Sequence, residues 1–160
     1  MENLLNKEPV IRVSNKLKEF NKNLNVIVLD SSARTSQDAA NSLKTEVGSI
    51  IKSLFLRTKS SFLLCLIAGD KRCSLNKVKK ILNEKDVSMA SADQVKEMTG
   101  FTIGGVSPVG HLNSIKIIID QSLSRFENIF GAAGHPNCVF KINFTNLQKI
   151  TNGEVVDITE

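Results

Sequence analysis

The segment from Thr99 to His111 has the clearest potential for chemistry in this sequence; it reads Thr-Gly-Phe-Thr-Ile-Gly-Gly-Val-Ser-Pro-Val-Gly-His. Its glycines at 104, 105 and 110 allow positive φ angles or close approach of a ligand to the backbone, and Pro108 stiffens the middle. Such a loop can direct several backbone N–H groups into one concavity that binds an oxyanion or a carbonyl. The Lys-Ser/Thr ending of a P-loop and the glycine spacing of a dinucleotide-binding fingerprint are absent, so neither site is indicated.

Lys52 is the sharpest single candidate for a functional side chain. In the predicted strand 49–57, alternation places it on the same face as Ile50, Leu54 and Leu56. An unpaired ammonium among aliphatic side chains is costly, because burial disfavours the charged form. Lys52 should therefore pair with a carboxylate, extend to the rim of the sheet, or meet an anionic ligand.

A second glycine-containing turn, Gly131-Ala132-Ala133-Gly134-His135-Pro136, follows downstream. Asp120 ends an apolar run and could be the partner of Lys52 or of a backbone turn. A hydrolase triad of Ser107, His111 and Asp120 is not indicated, because no strand–Gly-x-Ser-x-Gly–helix elbow is present and a proline directly follows the serine.

The three cysteines and two histidines do not indicate a metal site. Cys65, Cys73 and Cys138 are widely spaced and odd in number, which argues against a disulfide framework and against zinc. The two histidines could share a metal, but no carboxylate cluster accompanies them. We therefore predict no metal.

Helical and strand periodicities predict the elements that must position these residues. A helix is expected over 9–22, and capping patterns at Thr35-x-x-Asp38 and Ser91-x-x-Gln94 begin two more. A fourth helix is expected over 75–83 and a helical turn over 145–149. Strands are expected over the following ranges: 26–29, 49–57, 62–67, 114–119, 126–130, 138–142 and 154–158.

Length and composition fit one soluble domain spanning residues 1–160. Strands dominate without a regular βαβ rhythm, so we predict an α+β fold: a mixed, mostly antiparallel, curled β-sheet surrounded by several short helices. Neither a membrane span nor a signal-peptide pattern is present, which leads us to expect a cytoplasmic protein. The net charge of +5 permits a polyanionic partner without requiring one.

Taken in order along the chain, these motifs resemble the YbaK-type aminoacyl-tRNA deacylases, which are similar to the editing domain inserted in bacterial prolyl-tRNA synthetases. The resemblance covers nearly the whole chain. Its carriers are Arg34-Thr35 with Ala39-Ala40, Ile51-Lys52-Ser53-Leu54, Gly69-Asp70-Lys71-Arg72, Thr99-Gly100-Phe101, Gly104 to His111, Ile119-Asp120 and Ala132-Ala133-Gly134-x-Pro136-Asn137. The sequence departs from the family pattern at Lys44, where a glycine is expected, and at Ser74, where an aspartate is frequent.

The resemblance implies trans-acting hydrolysis of the ester that joins a wrong, small amino acid to the 3′ end of a tRNA, usually one specific for proline. Lys52 matches the family's essential lysine, which helps hold the aminoacyl-adenosine end, and the substrate's own ribose hydroxyl is thought to assist the attacking water. The implied partners are aminoacyl-tRNA and prolyl-tRNA synthetase, and no cofactor is implied. Substrate contacts are expected from Thr35, Gly104, Gly105, Val106, Ser107, Pro108, Gly110, His111, Asp120, Gly131, Ala132, Ala133 and Gly134.

Two other functions remain open on the sequence. The same pocket could belong to a non-catalytic module that binds the tRNA acceptor end or docks on a synthetase. It could also belong to a small-molecule ester or amide hydrolase. Loss of deacylation in Lys52→Ala would favour the first function, whereas hydrolysis of small esters irrespective of tRNA would favour the last.

Overall fold

The structure is a computed structural model that describes residues 3–160. Residues 1 and 2, with which the predicted domain begins, lie outside the described residues. Within that range the helices are α1 (Glu8–Phe20), α2 (Ser36–Leu43), α3 (Leu75–Leu82), α4 (Ala92–Thr99) and α5 (Phe144–Thr151). The strands are β1 (Val26–Val28), β2 (Ile51–Arg57), β3 (Phe62–Ala68), β4 (Ser88–Met89), β5 (Lys116–Asp120), β6 (Ile129–Ala132), β7 (Cys138–Ile142) and β8 (Glu154–Val156).

These strands form two sheets. One is antiparallel with the order β1-β7-β6, and the other is mixed with the order β4-β2-β3-β5-β8. In the second sheet β2 pairs antiparallel with β3 and β4, whereas β5 lies parallel to both β3 and β8. The predicted α+β domain with a mixed, curled sheet is confirmed, with the strands divided between two open sheets rather than one.

The five-stranded sheet is covered on both faces, which explains the nearly continuous apolar sequence of β3. One face packs into the main core together with Val13 of α1 and Phe140 of β7. The opposite face packs against α3 through Leu56, Ile67 and Val78. Lys52 points to this second face, as the alternation along β2 predicts.

Local sequence signals account for most helix boundaries. Pro9 lies in the first turn of α1, where its missing N–H costs nothing. Thr35 Oγ1 accepts the Asp38 N–H at 3.0 Å and begins α2. Ser91 and Gln94 form the reciprocal capping box that begins α4.

The strand predicted over 126–130 is present, but its bounds are wrong. A 3₁₀ segment, Gln121–Arg125, follows β5, and β6 begins only at Ile129. The strand therefore runs through Gly131, where an added Cβ would lie 3.0 Å from the Phe140 ring and 3.2 Å from Pro108. A tertiary contact, rather than strand propensity, thus explains the glycine in this strand.

Asp120 joins the end of β5 to the C-terminal segment. Its fully buried carboxylate accepts the backbone N–H of Ser122 at 3.0 Å, the N–H of Ile158 at 2.8 Å and the Thr159 hydroxyl at 3.2 Å. Asp120 was expected to pair either with Lys52 or with a backbone turn, and the structure shows the backbone turn.

We expect Asp120→Ala to lower the free energy of unfolding by at least about 2 kcal/mol, because it leaves buried N–H donors without an acceptor. Urea denaturation measures this change. The matched control is Asp157→Ala. The Asp157 carboxylate is 51% exposed beside Lys77, so its removal should lower the free energy of unfolding by no more than about 1 kcal/mol. Equal losses from the two variants would contradict the anchoring role.

Candidate active site

A cavity of about 250 Å³ opens where the two sheets meet. A single parallel bridge between Ile50 and Phe130 joins the start of β2 to β6. Beyond this bridge the two strand edges diverge, and the cavity lies between them. Its size is close to the lower end of the range for small-molecule pockets.

Short loops and helix starts complete the cavity walls. The residues leading into α2 contribute Ala33, Arg34 and Thr35, and the long glycine loop contributes Ile103, Gly104 and Val106. β6 and β7 supply a mostly apolar wall formed by Phe130, Gly131, Ala132, Cys138 and Val139. The site is therefore an apolar pocket with few polar groups, as is typical of small-molecule sites.

Lys52 lies at the boundary between this cavity and a neighbouring groove, and it contributes to the lining of both. Its Nζ donates a hydrogen bond to the Lys71 carbonyl oxygen at 3.0 Å. No carboxylate of residues 3–160 forms an ion pair with it. The ammonium is thus held at the rim by one carbonyl, with N–H groups left to bind a ligand.

The next residue, Ser53, offers polar groups at the open edge of β2. The Phe55 carbonyl accepts the Ala90 N–H at 3.0 Å on the β4 side, and two-residue alternation directs the backbone groups of Ser53 to that same side. β4 pairs in register only with Leu56 and Arg57, so it does not cover Ser53. The Ser53 Oγ is buried and has no hydrogen-bond partner among residues 3–160.

The glycine loop contributes only part of its predicted residues to the cavity. Gly104, with φ of +97°, and Val106 line it. The N–H of Gly105 already donates to the Thr102 carbonyl at 3.0 Å. Gly110 packs instead against α1, where its carbonyl accepts from Arg12 Nε at 3.0 Å.

Ser107, Pro108, His111 and Asp120 do not line the cavity. Ser107 Oγ accepts the Val109 N–H at 3.2 Å and closes a tight turn. The Nε2–H of His111 donates to the Ser107 carbonyl at 2.7 Å, since a carbonyl can only accept. The His111 ring also packs edge-on against Phe101. Ser107 and His111 therefore stabilise the loop away from the cavity, whereas Asp120 anchors the C-terminal segment.

The second glycine turn divides in the same way. Gly131 and Ala132 line the cavity, whereas the Ala133 N–H donates to the Cys138 carbonyl at 2.9 Å and its side chain is buried. Gly134, with φ of +89°, packs on α1, where an added Cβ would lie 2.8 Å from the Pro9 carbonyl. Ala133 and Gly134 are therefore packing positions.

Arg34 and His135 line the cavity but were not among the predicted contact residues. The Arg34 guanidinium makes no hydrogen bond or ion pair with residues 3–160. His135 Nδ1 accepts the Asn137 N–H at 3.0 Å, so in the neutral ring Nε2 bears the hydrogen. Arg34 did belong to the Arg34-Thr35 motif, which was the available signal, whereas nothing in the sequence showed that His135 faces the cavity.

Cys65 and Cys73 lie together beneath Lys52, on the α3 side of the sheet. The Cys65 thiol hydrogen-bonds to Cys73 and so lowers the Cys73 pKa, to which the Lys52 charge adds a smaller lowering effect, while burial and the nearby Asp120 and Glu160 oppose it. All three cysteines are free, and residues 3–160 contain no group of three or more His, Cys, Asp or Glu side chains able to hold a metal ion. No helix within that range is long and apolar enough to cross a membrane.

The family model for the aminoacyl-tRNA editing domain matches residues 30–150, which contain every element that lines the cavity. The chain belongs to the aminoacyl-tRNA editing domain family. The predicted resemblance is thereby confirmed.

The chain is similar to relatives of two kinds. The proline–tRNA ligase of Kosmotoga olearia is 36% identical over 95 residues, which cover 59% of this chain and 16% of the ligase. An uncharacterized protein of Bacillus subtilis, YwhH, is 28% identical over 138 residues, covering 86% of this chain and 87% of its own length. The chain thus spans about a sixth of that ligase and nearly the whole of the free-standing relative.

A solved structure has the same overall fold as this editing domain. The crystal structure of a proposed trans-editing enzyme for prolyl tRNA synthetase superposes with a TM-score of 0.91 at 32% identity. The match covers 96% of this chain and 98% of that protein. Nearly every element described above therefore has a counterpart in it.

His111 should make the stability of this editing domain depend on pH. Burial lowers its pKa, with a smaller effect of the same sign from Arg12, and the hydrogen bond to Ser107 only partly opposes this. Between the lowered pKa and the ordinary value of about 6.5, the unfolded chain binds more protons, so stability rises with pH across that window. Above about pH 6.5 the free energy of unfolding no longer changes with the protonation of His111.

We expect His111→Gln to reduce the difference in unfolding free energy between pH 5.0 and pH 7.5, as measured by urea denaturation. His135→Gln is the control, because the expected effect arises from burial of the imidazole ring at position 111. An unchanged pH difference in His111→Gln would contradict the assignment.

Proposed function

We propose that this protein is a trans-acting deacylase that hydrolyses the ester of mischarged aminoacyl-tRNA. The substrate would be a tRNA specific for proline that bears a small, wrong amino acid. The observation that carries the proposal is the convergence of Lys52, Gly104, Val106 and Ala132 on one small cavity in an editing-domain fold. Partners of this type, aminoacyl-tRNA and prolyl-tRNA synthetase, fit the relatives described above.

Lys52 would hold the terminal adenosine by its phosphate or ribose oxygens. Its Nζ is fixed by one carbonyl but has no anionic partner among the described residues. An ammonium placed in this way can bind an anionic ligand without breaking an existing ion pair. The adjacent cavity would then receive the aminoacyl group.

Backbone and hydroxyl donors would stabilise the oxyanion that forms when water attacks the ester carbonyl. The candidates are the backbone N–H groups of the glycine loop at Gly104 and Val106, together with the polar groups of Ser53. An aminoacyl ester is already activated, so positioning and oxyanion stabilisation supply much of the required rate. The ribose hydroxyl of the substrate would assist the water, which leaves no general base for the protein to provide.

Selection among amino acids would follow from cavity size. Ala33, Ala39 and Ala132 keep the cavity wide enough for a side chain, whereas Phe130 and Val139 limit it. A difference of one methylene in a hydrophobic pocket is worth only about 1–3 kcal/mol, so a second site that only small products enter adds to the discrimination of the first. The site would thus act as a second sieve that admits small side chains and rejects proline.

We expect Lys52→Met to lower kcat/KM for aminoacyl-tRNA hydrolysis by at least about 100-fold, because it removes the cation but retains the length of the side chain. The assay is release of the amino acid from proline-specific tRNAs charged with alanine, serine, cysteine or threonine. Lys116→Met is the matched control, since Lys116 is an exposed lysine on β5 of the same sheet.

Unaltered hydrolysis in Lys52→Met would contradict the proposal. If the wild-type protein binds these tRNAs but releases no amino acid from any of them, the non-catalytic binding module replaces the deacylase. If it hydrolyses small esters irrespective of tRNA, a small-molecule hydrolase replaces it.

Ala132→Leu should narrow the cavity, because this half-buried side chain lies on its wall. We expect hydrolysis to decrease more for a threonyl ester than for an alanyl ester, by about 10-fold in the ratio of kcat/KM values. Val28→Leu is the control, since Val28 is 45% exposed on β1 of the same sheet and lies outside the cavity. Equal decreases for both esters would argue against size selection at this wall.

A further inference from the structure

A groove of about 520 Å³ lies beside the cavity, on the α3 side of β2, and the proposed function does not use it. The two spaces share Lys52, Leu54 and Met89, so a ligand can extend from one into the other. The outer wall of the groove is the turn after β3, which contributes Lys71 and Arg72.

The electrostatic character of this groove is positive. The side chains of Lys71 and Arg72 form no hydrogen bond or ion pair with residues 3–160. The carboxylate of Asp70 is engaged by Arg125, at 2.6 and 3.0 Å, and this hydrogen bonding holds the Asp70 pKa below its ordinary value. The carboxylates of Asp120 and Glu160 also lie close enough to act on Cys73. That of Asp120 is fully buried and already accepts hydrogen bonds from the C-terminal segment.

The floor of the groove is apolar. Leu54 is half-buried, Met89 is 55% exposed, and Leu75 from α3 closes the far side. Three cations beside an apolar floor suit a single-stranded nucleic acid, whose phosphates need cations and whose unstacked bases need an apolar surface.

The turn that carries the cations also positions Lys52. The Lys71 carbonyl accepts the hydrogen bond from Lys52 Nζ, and the Lys71 N–H donates to the Ala68 carbonyl at 3.0 Å. Gly69 allows the chain to pack closely here, because an added Cβ would collide with the Val47 carbonyl oxygen. A phosphate bound by Lys71 or Arg72 would therefore lie next to the ammonium that marks the cavity entrance.

We propose that this groove binds the unpaired nucleotides that precede the terminal adenosine of the tRNA acceptor end. The inference rests on the proposed function for the identity of the RNA. Lys71 and Arg72 bind backbone phosphates, a base lies on Leu54 and Met89, and Lys52 meets the strand where it turns into the cavity. The alternative path is a second groove beyond Arg34 and His135, which has one cation rather than three.

The test compares the double variant Lys71→Ala/Arg72→Ala with Lys79→Ala/Lys80→Ala, which removes the same charge from α3 outside the groove. The first measurement is binding of a fluorescent single-stranded RNA ending in CCA, without an amino acid, at several salt concentrations. We expect the groove variant alone to bind on the order of tenfold more weakly. Its slope of log K against log salt should decrease by about 1.4, for two lost phosphate contacts on a single strand.

The second measurement is steady-state hydrolysis of aminoacyl-tRNA, for which the groove variant should raise KM more than it lowers kcat. Thermal unfolding of both variants verifies that they are folded. RNA binding and salt slopes equal to those of the control would overturn the proposal, and so would weaker binding in Arg34→Ala instead. Because the RNA carries no ester, the binding measurement decides the groove even if the protein proves to have no deacylase activity.

Discussion

One β-bridge, between Ile50 and Phe130, determines the geometry of the site. It joins the edge of the mixed sheet to the edge of the antiparallel sheet at a single point, after which the two strands separate. Because β2 and β6 run in the same direction, the residues that follow the bridge face each other across the gap. The cavity is therefore a consequence of how two sheets meet, and it requires no insertion or separate lid.

This arrangement also explains why backbone groups and a single lysine lie at the cavity. Strand edges present N–H and C=O groups that no neighbour has paired. In most proteins such an edge is protected, but here the short β4 covers only the end of β2 and leaves Ser53 uncovered. Lys52, the residue before Ser53 in β2, points to the opposite face of the sheet and lies at the entrance of the cavity. Edge exposure, elsewhere a risk of aggregation, thus supplies polar groups to the pocket.

The sequence predicted the elements better than their arrangement. Capping at Ser91 and the helical pattern of α1 are local signals, so they were sufficient to place those helices. The boundaries of β6 were wrong because strand propensity disfavours glycine, whereas Gly131 lies within β6 directly opposite Phe140, whose ring leaves little room for a Cβ. The division into two sheets depends on pairing between remote segments, such as Val26 with Phe140, which periodicity cannot specify.

The same distinction holds for the site. Alternation along β2 correctly placed Lys52 on the face shared with Leu54 and Leu56, because the period of a strand is a local property. The orientation of each glycine toward or away from the cavity depends instead on the elements that pack against it. Gly110 and Gly134 are positioned by α1, and no residue near them in sequence shows this. Residue type indicated the loop, whereas only tertiary contacts distinguished the positions that line the cavity from those that pack against α1.

Because the cavity lies between two sheets, it exists only when both are assembled. The antiparallel sheet itself is completed by β1, which pairs with β7 more than a hundred positions away along the chain, as Val26 does with Phe140. A molecule bound across the gap contacts strands of both sheets, in addition to the bridge and the common core that already join them. By thermodynamic linkage, its binding free energy is added to the free energy of unfolding of the entire domain rather than to the stability of one loop. A ligand that occupies the cavity should therefore stabilise both sheets together against unfolding.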